Sequence, residues 1–325
     1  MPILNTTFKP TIPFTNGHFN TVYRYLFVKE DSNYNRVRIP TWDNDFIDLD
    51  FSTKNSFSLI VLIHGLEGSS QSSYMISTAK YLNNLGYDTV CVNLRGCSGE
   101  DNNLLQTYHS GKTDDIAFII DYIKKQYTYK NIILCGFSVG GNLALKYLGE
   151  YVNTIPSEVK GGIGVSVPID LNSSQIELSK FKNKMYIHEF LKSLKLKILH
   201  KADKFPDFKL DKKRLLKATK FRHIEELYTV PIFNFDSPED YYTKASSKPY
   251  LNAIKLPTLL VNATDDSFLS EECFPYDLAK DSTNFHLVTP KYGGHVGFMT
   301  SFGKQNLWLE YQVASFIQQQ LNIHS

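Results

Sequence analysis

Ser138 lies at the centre of Gly136-Phe137-Ser138-Val139-Gly140, a G-x-S-x-G array. A serine hydroxyl is a poor nucleophile until a base takes its proton, so the array has chemical meaning only if a histidine and a carboxylate can reach it. It closes the apolar run NIILCGF (131–137) and precedes a helical pattern from Asn142 to Leu148. A sharp strand-to-helix turn exposes the hydroxyl at the carboxyl end of a sheet, and small residues two before and two after it avoid a clash between strand and helix. The turn also sets Ser138 at a helix N-terminus, where N–H groups and the helix dipole favour developing negative charge.

His295 is the expected base. It stands in the loop KYGGHVGF, five residues past the apolar run FHLVTP (285–290), and Gly293, Gly294 and Gly297 let that loop turn the imidazole inward. The acid should follow the preceding apolar run LPTLLVNA (256–263), where Asp265 and Asp266 are adjacent. Its task is to accept a hydrogen bond from the imidazole and stabilise the imidazolium. Asp266 is preferred, because Ser267-Phe268 after it resembles the D-P-x of related loops; Asp265 is then free to cap the next helix or bond loop backbone. A developing oxyanion needs N–H donors. Val139, next after the serine, supplies one, and Leu66 in HGLEGSS (64–70) the other. His64, at a strand end, reads as a structural imidazole bonding loop backbone, and His109 as a loop stabiliser.

These groups need a scaffold, and the sequence outlines one. SLIVLI (58–63), DTVCVNL (88–94), NIILCGF (131–137), KGGIGVSVPI (160–169), LPTLLVNA and FHLVTP are apolar on both faces. Helical patterns separate several of them: Tyr74 to Asn84, Asp114 to Gln126 with Thr113 as N-cap, and Asn142 to Leu148; another, Leu307 to Leu321, closes the chain. Such alternation predicts an α/β fold, a mostly parallel twisted sheet with helices on both faces. RVRIP (36–40) and DFIDLDF (45–51) read as an antiparallel edge hairpin turning at Asp43-Asn44. The alternation breaks at 171–247, which reads as a helical cap inserted into a single domain spanning 1–325. From Lys180 to Arg222 there are 15 basic residues against four acidic ones, Glu189, Asp203, Asp207 and Asp211. This is read as a solvated face, with a docking surface for an anionic acyl carrier, phospholipid or membrane as the alternative.

Bulk properties exclude other classes. A formal net charge of +2 on 325 residues argues against nucleic-acid binding. The four cysteines form no Cys-x-x-Cys pair and have no histidine at zinc-ligand spacing, so no metal is expected. Neither a P-loop nor a G-x-G-x-x-G motif is present, and no cofactor is expected. The N-terminus lacks a signal-peptide pattern and no apolar run approaches a membrane span, so a reducing cytoplasm is expected.

The motifs together resemble the YheT-like branch of the α/β-hydrolases. They are NGHFNTVY (16–23), HGLEGSS (64–70), NLRGCSGE (93–100), YHSGKTDD (108–115), GFSVGGNLALKYLGE (136–150), SVPIDL (166–171), YYTKASS (241–247), LLVNATDDSF (259–268) and TPKYGGHVGF (289–298). The resemblance implies an α/β-hydrolase fold and a serine hydrolase cleaving carboxylic esters, with medium-chain acyl esters or phospholipids among the branch's substrates. It carries the catalytic triad onto Ser138, Asp266 and His295. Arg24-Tyr25 and Ser267 stand where the branch usually has proline. Two alternatives remain at this point. The acyl group could pass to an alcohol instead of water, or the fold could serve as a non-catalytic binding protein, although such proteins usually lack a triad member.

Overall fold

The computed structural model describes residues 3–303, 307–319 and 321–323. Its first helix, α1 (Gly17–Phe27), is one that periodicity does not predict. It starts on glycine and carries a β-branched pair and several aromatics, a poor intrinsic composition. Two things offset this. The Asn16 side chain accepts a hydrogen bond from the Phe19 N–H (3.0 Å), an N-cap. Phe19 and Tyr23 also pack on buried Phe14 and Met299.

Next comes the expected edge hairpin, β1 (Asn35–Pro40) and β2 (Phe46–Ser52), paired antiparallel. Then β3 (Ser58–Ile63), α2 (Ser73–Asn84), β4 (Asp88–Asn93), α3 (Thr113–Gln126), β5 (Asn131–Phe137), α4 (Val139–Glu150) and β6 (Val159–Val165) alternate. Thr113 is not the N-cap of α3 but its first residue. Its hydroxyl donates to the Glu150 carboxylate, a charged acceptor that draws it from the helix's own amides.

Among the described residues eight strands form one sheet in the order β1-β2-β4-β3-β5-β6-β7-β8, with β7 (Thr258–Val261) and β8 (Phe285–Val288) last. From β4 across to β8 every pair is parallel, and β2, antiparallel to both β1 and β4, runs opposite to the other strands. Side-chain alternation along each strand feeds two cores. Leu59, Val61 and Ile63 of β3 join Ile119 and Ile123 of α3 and Leu143 and Leu148 of α4. Ile60 and Leu62 turn the other way, onto Met75 and Leu82 of α2 and Val313 and Ile317 of the final helix. A strand buried on both faces must be apolar throughout, which is why these runs lack a period of two.

Between β6 and β7 the chain is helical: α5 (Leu171–Leu178), α6 (Lys184–Lys204), α7 (Lys212–Lys217), α8 (Phe221–Ile224), α9 (Val230–Phe233) and α10 (Pro238–Ala245). A π turn, Glu225–Thr229, joins α8 to α9. Helices α6, α7 and α8 share a small core around Leu191, Ile198, Leu215 and Phe221, while Leu171 of α5 packs with Tyr241 and Tyr242 of α10. Part of the segment's positive charge faces inward: Lys201 is fully buried and donates to the Asp101 carboxylate (2.7 Å) and the Leu104 carbonyl (2.6 Å). Helices α11 (Tyr276–Asp281) and α12 (Trp308–Gln319) complete the chain. The expected closing helix extends past α12 through residue 320, which lies outside the described residues. Among the described residues no helix is long and apolar enough to cross a membrane.

Candidate active site

Ser138 joins β5 to α4 with φ 52° and ψ −122°, left-handed backbone that costs a non-glycine residue on the order of 1–3 kcal/mol. The turn is held by the Ser138 N–H, which donates to the Val165 carbonyl (2.8 Å), and by its carbonyl, which accepts from the Asn142 N–H (3.0 Å). Space explains the flanking glycines. A Cβ on Gly136 would lie 2.1 Å from the Gly140 carbonyl oxygen, and one on Gly140 would lie 2.2 Å from that of Ile63.

A serine at a helix N-cap ordinarily accepts from a first-turn N–H. Ser138 makes no such bond, and its Oγ instead lies 3.0 Å from His295 Nε2. On the far side of the ring, Nδ1 lies 2.8 Å from Asp266 Oδ2. With Nδ1–H donating to that carboxylate, Nε2 is left bare toward the serine hydroxyl. The Asp266 side chain is fully buried, and its other oxygen accepts from the Phe268 N–H (2.9 Å). The Phe268 ring stacks on the imidazole with centroids 4.1 Å apart.

Leu66, Val139, Ser138 and His295 line one cavity of about 120 Å³. Val139 is the first residue of α4, so its N–H has no intrahelical acceptor. Among the described residues neither it nor the Leu66 N–H donates to a protein acceptor. The Leu66 peptide is pinned from its other end. The Gly65 carbonyl, part of the same peptide unit, accepts from His64 Nδ1–H (2.7 Å) and from the Gly68 N–H (3.0 Å). Carbonyl and N–H of a trans peptide point opposite ways, so these bonds turn the Leu66 N–H away from His64. His64 Nε2 accepts from the Leu94 N–H (3.1 Å), and burial pushes the ring's pKa down to about 4, which keeps it neutral. His109 packs against Phe233 and Tyr241, accepts from the Gly111 N–H (3.1 Å), and is likewise pushed down by burial, to about 3.

A family model described as alpha/beta hydrolase fold matches residues 58–302. The chain belongs to that family. The likeness to the YheT-like branch extends over the chain: YheT of Escherichia coli (strain K12) is 29% identical over 98% of this chain and 95% of its own length. The Homo sapiens protein named phospholipase ABHD3 is 28% identical over 98% of this chain and 80% of its own. Among solved structures, the Pyrococcus furiosus esterase PF2001 matches with a TM-score of 0.61 over 88% of this chain and 91% of that one; at 19% identity this likeness bears on the fold alone. The chain is thus an α/β-hydrolase of the esterase and lipase type.

In this hydrolase the N-terminal motif holds the histidine loop. Thr21 Oγ accepts from the His295 N–H (2.8 Å), and the Asn20 carboxamide bonds both the N–H and the carbonyl of Met299 (2.9 and 3.0 Å). Gly294 has φ 59°, and a Cβ there would lie 2.1 Å from the Gly17 carbonyl oxygen, so only glycine fits. Arg24, where the branch usually has proline, is buried. It donates to the Gly297 carbonyl (3.1 Å) and to Ser77 Oγ (2.7 Å), and pairs with Glu310. Nothing in the sequence links Arg24 to Glu310, 286 positions away. The Asn16 cap was the one local signal for this helix.

Two further carboxyls, Glu67 and Glu225, line the cavity. Glu225 stands in the π turn, and burial pushes its pKa up to about 7. Among the described residues it has no ion pair.

Proposed function

We propose that this hydrolase cleaves carboxylic esters of short to medium acyl chains through an acyl-enzyme on Ser138. The observation that carries the proposal is the unbroken path from Ser138 Oγ to His295 Nε2 (3.0 Å) and from His295 Nδ1 to Asp266 Oδ2 (2.8 Å). Ser138 attacks the ester carbonyl while His295 takes its proton, and Asp266 stabilises the imidazolium. The amides of Leu66 and Val139 hold the oxyanion. The tetrahedral species collapses, the alcohol leaves with the proton from His295, and water repeats the sequence to release the acid. The balance needs water alone and no cofactor.

Two features support an acyl substrate. The cavity is largely apolar, with Leu171, Phe190, Leu194 and Phe268 in its wall. The names phospholipase ABHD3 and, for a Saccharomyces cerevisiae relative 29% identical over 74% of this chain, monoacylglycerol lipase belong to proteins acting on acyl lipids. Residues 171–247 act as a cap on a single α/β domain, and their helices supply most of the apolar wall. The free thiols at Cys91, Cys97, Cys135 and Cys273 support a reducing, cytoplasmic setting.

The test is a panel of p-nitrophenyl esters of increasing acyl length, with fluorophosphonate labelling, on wild type and Ser138→Ala. Turnover and labelling in the wild type and neither in the variant are expected. Unchanged turnover in Ser138→Ala, or a folded wild type inert to both reagents, overturns the proposal.

A further inference from the structure

The turn that carries the Leu66 amide is tied to the cap through its next residue. Glu67 has φ 53°, an unfavourable conformation for a non-glycine side chain, so something must hold it there. Its N–H donates to the Tyr108 hydroxyl (2.8 Å), and that hydroxyl donates back to Glu67 Oε1 (3.0 Å). From α6 of the cap, Ser193 Oγ donates to Oε2 (2.6 Å) and Lys197 Nζ donates to Oε1 (2.8 Å).

The ion pair is shielded: the Glu67 side chain is 8% exposed and that of Lys197 20%. Burial works against the Glu67 charge, but Lys197, Ser193 and Tyr108 outweigh it and hold the carboxyl below its usual value. Other cap lysines, Lys201 and Lys204, grip Asp101, away from this turn. Among the described residues, Glu67 makes all the polar contacts between the cap and the turn from Gly65 to Gly68. The Leu66 side chain packs on the cap's own small core.

We propose that Glu67 is a positioning residue which straps the oxyanion loop to α6, so that the Leu66 amide is aimed at the reacting carbonyl only while that helix is seated. The strap makes no contact with Ser138 or His295 and exchanges no proton in the reaction. It sets the pose of a turn whose amide must meet an oxyanion within a few tenths of an ångström. Displacement of α6 removes two donors from the carboxylate, and of the side chains that hold Glu67, Tyr108 then remains, beside the turn's own Gly68 N–H to Gly65 carbonyl bond. Cap position and transition-state stabilisation thereby become one equilibrium.

This inference rests on the acyl-enzyme reading above, and the experiment separates the two. Lys197→Met, Ser193→Ala and Glu67→Gln are compared with wild type and with Lys192→Met, an exposed lysine on the same helix. The readouts are kcat and KM on a p-nitrophenyl ester, affinity for an alkyl trifluoromethyl ketone, which forms an oxyanion on the serine, and thermal unfolding. Lys197→Met is expected to lower kcat about 10- to 100-fold with KM within about threefold, and to weaken the ketone in parallel. Lys192→Met should leave all three unchanged, and Lys197→Arg should restore most of kcat. Glu67→Gln combined with Lys197→Met should be little worse than the more damaging single variant, because both cut one strap. Wild-type kcat in folded Lys197→Met and Ser193→Ala overturns the proposal, as does a loss confined to KM or effects that simply multiply. A wild type that fluorophosphonate does not label sinks the acyl-enzyme reading itself; a labelled wild type with indifferent strap variants sinks only the strap.

Discussion

Asp265 and Asp266 are consecutive in the chain and bind consecutive residues of one loop. Asp265 Oδ1 accepts from the Gly294 N–H (2.8 Å), and Asp266 Oδ2 lies 2.8 Å from His295 Nδ1. One carboxylate holds the loop's backbone and its neighbour holds the imidazole. Burial pushes Asp265 up to about 6, while its second oxygen has no hydrogen-bond partner among the described residues.

This division gives the two carboxylates different mutational signatures. Asp266→Asn presents an amide to Nδ1 and favours the tautomer in which Nε2 carries the proton and cannot take the one on Ser138. A fall in kcat of about 10⁴-fold is expected, with the fold intact by circular dichroism. Asp265→Asn keeps an acceptor for the Gly294 N–H, and its kcat should stay within about tenfold of wild type. Steady-state kinetics on one ester decides the matter, and equal losses in the two variants contradict the division.

His64 holds the Gly65 carbonyl, and thereby the Leu66 amide, without touching substrate. In His64→Ala the carbonyl keeps only its bond from the Gly68 N–H and the Leu94 N–H loses its acceptor. A kcat loss of about 10- to 1,000-fold is expected, up to the cost of losing one oxyanion donor outright. Fluorophosphonate labelling should slow in step, because in the proposed mechanism phosphonylation of the serine draws on the same amides.

Glu225 makes stability depend on pH in a defined direction. Its pKa rises from an ordinary 4.5 to about 7 because burial penalises the charge. Between those values the folded protein holds a proton that the unfolded chain has released, so stability falls as pH rises through about 4.5 to 7 and then levels off. Glu225→Gln removes the dependence. The variant is expected to gain stability relative to wild type at pH 8 by on the order of 1–3 kcal/mol, and little at pH 4, in urea unfolding. An equal difference at both pH values counts against this account.

The Arg24–Glu310 pair joins α1 to α12 with both side chains nearly inaccessible. Removal of one partner leaves a buried charge uncompensated, so Arg24→Met or Glu310→Gln should each cost about 3–5 kcal/mol. Arg24→Met combined with Glu310→Met should recover much of that loss. Chemical denaturation of the three variants tests it; a double variant as unstable as the sum of the singles argues against a coupled pair.

How much of this was legible depended on whether the cause was local. The strands were readable because a strand buried on both faces must be apolar throughout, as SLIVLI is. The edge hairpin was readable because Asp43-Asn44 tolerates the turn, and Asn44 does adopt φ 65°. Helix α1 was not, because packing on Phe14 and Met299 outweighs its weak propensity. Thr113 was misread as a cap because the acceptor for its hydroxyl, Glu150, arrives from another helix.

The same boundary runs through the candidate site. Sequence alone determined the strand–serine–helix order around Ser138, the two candidate carboxylates, the glycine-flanked His295, and an α/β sheet to carry them, since each rests on residue type and near-neighbour spacing. Tertiary structure decided which aspartate stands 2.8 Å from the imidazole, which carbonyl His64 grips, and that Lys197 reaches Glu67 across 130 positions. Those contacts are made between segments distant in the chain, and a hydrogen bond formed by folding leaves no periodicity in either segment.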